Sequence, residues 1–267
     1  VAVRDPQHIL ITGASSGIGE ALAYAYAAPG VRIALSGRDA SRLETVAAAC
    51  RAKGARISAA AVDVTDGSAM ASWIATQDEA LPLDLVIANA GISAGTAGRG
   101  ESIAQARLIF ATNLDGVINT VHPAVPFMAS RRRGQIAIMS SLAAFRGFAG
   151  APAYSASKAA VRIYGEALRV RLAGKGIEVS VICPGFVRSR MTAANKFPMP
   201  LLMDADRAAA IVKRQLVRNK SRIAFPWPLY AAAWLLAALP PALTDRWMAK
   251  LPEKASARAE PPDDNPR

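Results

Sequence analysis

HILITGASSGIGEALAYAYAA, residues 8–28, decides the fold. An apolar run ending at Thr12 leads into TGASSGIG (12–19) and then into an alanine-rich stretch of helical character. A short apolar run closed by glycine reads as a strand covered on both faces. Glycines at 13, 17 and 19 allow a tight turn and a close backbone approach. The helix that follows opens with N–H groups lacking intrahelical partners and with the positive end of its dipole, where a phosphate fits. The spacing is G-x-x-x-G-x-G rather than the G-x-G-x-x-G of the usual dinucleotide fingerprint. Its place on the first strand of an α/β series is the one a mononucleotide-binding half requires.

Outward from this stretch, further strand candidates fall at 31–36, 56–62, 83–89, 135–140, 178–183 and 222–225, most of them almost wholly apolar. Amphipathic segments separate them, as at 41–53, where Leu43, Val46, Ala47 and Cys50 recur at helical spacing. The alternation predicts one α/β domain over 1–226: doubly wound, Rossmann-like, with a seven-stranded parallel sheet and helices on both faces. An apolar helical extension is expected over 227–251, and a polar, proline-rich, disordered tail over 252–267.

Composition narrows the function. In 267 residues, 32 Lys+Arg face 20 Asp+Glu, a formal charge of +12, and 52% of residues are hydrophobic, which excludes a disordered chain. The charge is spread out, with local runs at Arg131–Arg133 and over 207–222, and there is no glycine-arginine tract, zinc-finger spacing or RNP-like strand. A solvated basic surface is therefore expected, not nucleic-acid binding. Cys50 and Cys183 are too few for a disulfide framework or a metal cluster and lie in apolar stretches, so buried thiols in a reducing, cytoplasmic setting are expected. The opening VAVRDPQHILITG has no signal-peptide pattern.

Two places carry chemistry. The second strand ends in Ala34-Leu35-Ser36-Gly37-Arg38-Asp39. Here a carboxylate would bind a ribose 2′-hydroxyl; Ser36 is neutral and Arg38 offers a guanidinium to a 2′-phosphate, which favours NADP(H) over NAD(H). Further on, Tyr154 and Lys158 stand four residues apart in YSASK. On a helix they share a face, ~6 Å apart along the axis. An ammonium beside a phenol favours the phenolate and makes the tyrosine a proton donor and acceptor near neutral pH.

Together these motifs resemble the short-chain dehydrogenase/reductase family. TGASSGIG at 12–19, Asp63-Val64 and Asn89-Ala90-Gly91 match its cofactor motifs; Asn113, Ser141 and YSASK, with Tyr154 13 positions after Ser141, match its catalytic ones; Pro184-Gly185 follows the sixth strand. The resemblance implies an oxidoreductase in which Tyr154 exchanges a proton with the carbonyl or alcohol oxygen. It further implies that Lys158 lowers the tyrosine's pKa and bonds the nicotinamide ribose, that Ser141 holds the substrate oxygen, and that Asn113 anchors a proton-relaying water. Gly13, Ser15, Ser16, Gly17, Ile18 and Gly19 would line the dinucleotide phosphates. Asp63, Val64, Asn89, Ala90 and Gly91 would meet its adenosine side, and Pro184, Gly185 and Val187 its nicotinamide. Ser189 stands where the family often has a threonine, with Thr192 beyond, and Pro29-Gly30 is expected to end the first helix.

The loops at 142–153 and 186–207 would supply substrate contacts. Phe145, Phe148, Phe186, Met191, Phe197, Met199, Leu201, Leu202 and Met203 make them largely apolar, so a hydrophobic ketone is favoured. Arg146, Arg188 and Arg190 leave open a 3-oxoacyl thioester, and a non-catalytic nucleotide-sensing or membrane-scaffolding protein would use the same fold. The run from Leu229 to Leu239 is too short to span a bilayer, which takes ~20 residues. It needs a cover: the substrate lid, a second subunit, or a membrane interface, for which Trp227, Tyr230, Trp234 and Trp247 are suited. The family resemblance implies a homodimer or homotetramer joined through the Tyr154 helix and the long helix before it.

Overall fold

The structure, a computed structural model, describes residues 3–93, 101–193, 195 and 197–249, without the Trp247 side chain. The expected tail at 252–267 lies outside the described residues. In chain order the elements are β1 (His8–Thr12), α1 (Gly17–Tyr26), β2 (Arg32–Ser36), α2 (Ala40–Ala52), β3 (Arg56–Ala60), α3 (Gly67–Ala80) and β4 (Leu85–Ala88). Then follow α4 (Ile103–Phe110), a π-helical turn (Ala111–Asp115), α5 (Gly116–Val121), α6 (Ala124–Ser130), β5 (Gly134–Met139), a 3₁₀ turn (Leu142–Ala144), α7 (Pro152–Ala173) and β6 (Ile177–Pro184). The last elements are α8 (Arg190–Ala193), α9 (Ala205–Val217), β7 (Arg222–Phe225), α10 (Trp227–Ala238) and α11 (Pro241–Met248).

The seven strands form one parallel sheet in the order β3-β2-β1-β4-β5-β6-β7. The order reverses between β1 and β4, and the crevice beyond the carboxyl ends there is where a doubly wound fold binds its ligand. The two-residue period of the strands sorts the core into two layers. Ile9, Ile11, Ile33, Leu35, Leu85 and Ile87 face α1, α2 and α9. Leu10, Ala34, Val86, Ile136, Ile138 and Val179 face α3, α5 and α7.

Several boundaries move. The 56–62 strand stops at Ala60, and β3 is not covered on both faces: it is the sheet's edge, with Arg56 and Ala59 exposed. The 83–89 strand shortens to Leu85–Ala88, because Leu83 N–H is held by Asp78 Oδ1 at 2.9 Å and Asn89 turns into the site. α1 ends at Tyr26, before Pro29-Gly30. The Arg131–Arg133 run is not simply solvated. Arg131 grips the Asp78 carboxylate with two N–H donors (2.8 and 2.9 Å), Arg133 pairs with Asp84 at 3.0 Å, and Arg132 donates to the Gly174 carbonyl.

α10 differs from the other long helices. None of its residues is buried, and its Leu229–Tyr230 side packs on the 3₁₀ turn and β6. No helix among the described residues is long and apolar enough to cross a membrane.

Candidate active site

The carboxyl ends of β1 and β4 are stitched together. Asn89 Nδ2 donates to the carbonyls of Thr12 (2.9 Å) and Gly13 (3.1 Å), while Thr12 Oγ1 accepts from the Asn89 and Ala90 N–H groups at 3.1 and 3.2 Å. Gly13 takes φ +65°, and a Cβ there would stand 2.7 Å from Ala90 Cα, so only glycine lets the turn lie this close to β4. α2, α3 and α4 are capped by the side chains of Asp39, Asp66 and Ser102. α1 is not: its N-cap, Ser16, makes no capping bond, which leaves the first-turn N–H groups beside Ile18 and Gly19 facing the crevice end of the sheet.

At the end of β2 the Ser36 side chain is fully buried, and its Oγ has no hydrogen-bond partner among the described residues. Gly37 lies against Ser15, whose Oγ is 3.1 Å from where a Cβ would be. Arg38 is exposed. Asp39 is engaged elsewhere, capping α2 through the Arg42 N–H and pairing with the Arg42 guanidinium at 2.7 Å. Asp63 Oδ1 accepts from Thr65 N–H and Oγ1, both at 2.9 Å, which closes a turn and aligns the Val64 side chain against Gly116. An orphaned hydroxyl, an uncapped helix start and a glycine-lined cradle fit a dinucleotide.

The catalytic candidates converge from three elements. Asn113 is fully buried in the π turn, where an extra residue widens the helix. Its Oδ1 accepts from Ile92 N–H (2.8 Å), and its Nδ2 donates to Ile92 O and to Ser157 Oγ, both at 3.0 Å; Ser157 donates on to the Tyr154 carbonyl at 2.8 Å. Both N–H donors are therefore taken, and a water anchored here has to use a lone pair or a carbonyl of the π turn. Ser140 and Ser141 point to different tasks. Ser140 Oγ donates to the Lys158 carbonyl (2.8 Å), whereas Ser141 Oγ accepts from Ala143 N–H (3.1 Å), lies 3.5 Å from Pro184 O and is near enough to Tyr154 to favour its phenolate.

Tyr154 and Lys158 share a face of α7, with Lys158 Nζ 5.9 Å from the phenol ring centre. The ammonium is buried and donates to Met139 O at 2.9 Å. Gly91 covers it: a Cβ there would stand 3.2 Å from Nζ and 3.1 Å from Asn113 Oδ1. Burial pushes Lys158 down to about 8. The expected lowering of Tyr154 by its neighbour does not appear in the protein alone. Burial pushes the phenol up, and only the Ser141 hydroxyl pulls it back. Loss of solvent outweighs an ammonium at this distance.

β6 brings the remaining candidates in. Gly185 N–H donates to Phe225 O at 2.7 Å, Val187 is buried and bridges to Met203, and Ser189 abuts the glycine-rich turn, its Cβ 3.0 Å from where a Gly17 Cβ would be. Ser189 and Thr192 bond each other through N–H and hydroxyl groups. On the substrate side, three expectations change. Met203 is buried in the core rather than free to line a pocket. Phe145 faces Tyr230, Arg162 and Arg222. Arg146 is fixed to Thr244 and Asp245, and Arg188 to Asp204. Thr12 and Ser157 were missed as site residues, although each adjoins or lies within a motif.

The chain thus joins a parallel α/β sheet, a glycine-rich turn at its switch point and a Ser–Tyr–Lys group, an arrangement whose class its relatives define. Residues 7–198 match the short chain dehydrogenase family model. An uncharacterized oxidoreductase of Myxococcus xanthus is 41% identical over 237 residues, covering 88% of this chain and 94% of that protein. Two solved structures share the fold at 24% identity. One is a short chain dehydrogenase from Mycobacterium paratuberculosis bound to NAD (TM-score 0.76, 84% of this chain and 98% of that one). The other is a short-chain dehydrogenase from Sphingobium yanoikuyae in complex with NADPH (TM-score 0.77, 94% and 98%). The chain belongs to the short-chain dehydrogenase/reductase family and is an NAD(P)-dependent oxidoreductase acting on CH–OH groups.

Proposed function

We propose that this enzyme interconverts a hydrophobic ketone and its secondary alcohol with NADP(H). The observation that carries the reading is the convergence of Ser141, Tyr154 and Lys158 at the crevice end of β5 and α7, next to the cradle of Gly13, Gly17 and Gly19. Bound nicotinamide supplies or accepts the hydride. In the reducing direction Tyr154 gives its hydroxyl proton to the carbonyl oxygen while the Ser141 hydroxyl holds that oxygen. In the oxidising direction Tyr154 takes the alcohol proton. Lys158 Nζ, held by the Met139 carbonyl, stands 5.9 Å from the ring centre of the phenolate that results.

The preference for NADP(H) rests on Ser36, neutral and with a buried unpaired Oγ, on exposed Arg38, and on Asp39 being neutralised by Arg42. Arg38→Ala should weaken NADPH binding about tenfold to a hundredfold while NADH binding changes less than about twofold, one charge-assisted phosphate contact being worth ~1.5–3 kcal/mol. Equal losses for both would overturn the preference. An apolar substrate is supported by exposed Leu201 and by the Phe186–Phe197 pair, ring centres 6.1 Å apart. Arg146 is held by Thr244 and Asp245, whereas Arg188, in an exposed pair with Asp204, and Arg190 stay accessible to an anionic acyl carrier. A coupled NADPH-oxidation screen over steroid, aliphatic and acyl-thioester ketones discriminates the two substrate classes.

Exposed Ile163 and Val170 on α7, with Ile103 and Leu108 on α4, support a homo-oligomer built through these helices. Light scattering should return a dimer or tetramer; a monomer at micromolar concentration removes that reading. The outer face of α10, with Trp227, Trp234 and Leu235 exposed, supports a peripheral contact with anionic lipid. Protein that stays unbound in vesicle flotation at low salt excludes it. Cys50 and Cys183, both free and buried, fit a reducing cytoplasm.

A further inference from the structure

α7 carries a ridge of functional groups at four-residue intervals: Tyr154, Lys158, Arg162 and Glu166. The first two belong to the site already described; the last two take no part in it. Arg162 and Arg222, the first residue of β7, both reach Glu166. Arg162 Nη1 lies 3.3 Å from each carboxylate oxygen, and Arg222 binds Oε1 through Nε at 3.0 Å and through Nη2. Two guanidiniums thus share one carboxylate, and the Arg162 Nε is buried without a hydrogen-bond partner. Both cations stand over one aromatic ring, that of Phe145, with Cζ 4.8 and 5.4 Å from its centre. The ring face carries the negative end of a quadrupole and offsets the charge that Glu166 leaves over.

Phe145 comes four residues after Ser141 and caps the 3₁₀ turn that Ser141 opens. The turn is otherwise held by Ala143 N–H to Ser141 Oγ, by Ala144 N–H to Ser141 O, by Phe145 N–H to Leu142 O, and by buried Leu142, which packs with Val181, Cys183 and Leu229. Tyr230 of α10 meets the Phe145 ring edge-on at 5.4 Å and accepts from Arg222 Nη1 at 3.2 Å. The contacts therefore join the Ser141 turn to α7, to β7 and to α10.

We propose that Phe145, held by Arg162 and Arg222 over Glu166 and braced by Tyr230, is a positioning residue that fixes the Ser141 hydroxyl relative to Tyr154. It rests on the reading that Ser141 holds the substrate oxygen. Leucine would keep the apolar bulk of Phe145 but lose the ring face; tyrosine would keep both.

The test uses the full chain with NADPH. In Phe145→Leu, hydrogen exchange at the Ala143 and Ala144 amides should accelerate about tenfold or more, while amides inside α7 and the NADPH Kd stay within about twofold. For the ketone that wild-type protein reduces best in the screen, kcat should fall about tenfold with KM nearly unchanged. Phe145→Tyr should restore both the exchange rates and kcat. Wild-type exchange and kcat in Phe145→Leu would overturn the proposal. So would a Phe145→Tyr variant as impaired as the leucine one, since a ring face would then not be what holds the turn. If wild-type protein reduces no ketone of the screen, the functional reading fails, and the exchange rates still decide the positioning role.

Discussion

One helix, α7, holds two pairs built on the same four-residue spacing with opposite electrostatics. Tyr154 and Lys158, nearest the crevice, are buried; the ammonium has no ion pair among the described residues and is pushed down to about 8. Arg162 and Glu166, two turns on, are half-buried, ion-paired and tied to a second arginine. Spacing puts each pair on one face; surroundings decide what the pair does. A charge without a counter-charge in a dry place is ready to change its protonation, whereas one already neutralised holds structure.

The contrast can be broken by substitution, most severely at Ser141. Ser141→Ala removes the hydroxyl proposed to hold the substrate oxygen and should lower kcat by about 10²–10³ with NADPH binding intact; steady-state rates and fluorescence titration check both. Next is Lys158→Met, which removes the buried ammonium. A lysine whose folded pKa is near 8 rather than 10.5 costs stability at neutral pH, by up to about 3 kcal/mol at 1.36 kcal/mol per unit. The unfolded chain binds more protons between pH 8 and 10.5, so that cost fades as pH rises through this window. Urea unfolding should thus show the variant's advantage over wild type shrinking from pH 7.5 to pH 10. A constant difference would mean that Lys158 is not held at a depressed pKa. At the paired end, Glu166→Gln leaves two guanidiniums without their carboxylate and should cost about 1–2 kcal/mol by urea unfolding, since the group is partly exposed. The smallest effect is expected from Gly165→Ala, where a Cβ would meet Val181 Cγ2 at 2.6 Å; crowding of the sheet less the gain in helix propensity leaves about 1 kcal/mol of destabilisation.

The nucleotide half of the molecule was legible because its constraints are local. Gly13 answers to the positive φ of +65° that the turn itself requires, and apolar runs report burial directly, so a parallel sheet with helices on both faces follows. Asn113 could be placed by motif, but not its π turn or its hold on Ile92, which depend on a segment two elements away. The substrate side was least legible. Phe145 reads as pocket lining until Arg222, 77 residues on, is brought beside it. Arg131–Arg133 reads as solvated until Asp78 and Asp84 are seen across the turn. Long-range ion pairs leave no periodic trace. The direction of the Tyr154 shift likewise depends on burial, which a Tyr-x-x-x-Lys spacing does not encode.

The most direct test is the pH dependence of kcat/KM for both directions of one ketone–alcohol pair. If Tyr154 is the proton donor and acceptor, reduction should fall and oxidation should rise with increasing pH through a single shared ionisation, and Tyr154→Phe should abolish both while still binding NADPH. Limbs that move in the same direction, or a Tyr154→Phe enzyme that retains turnover, would contradict it.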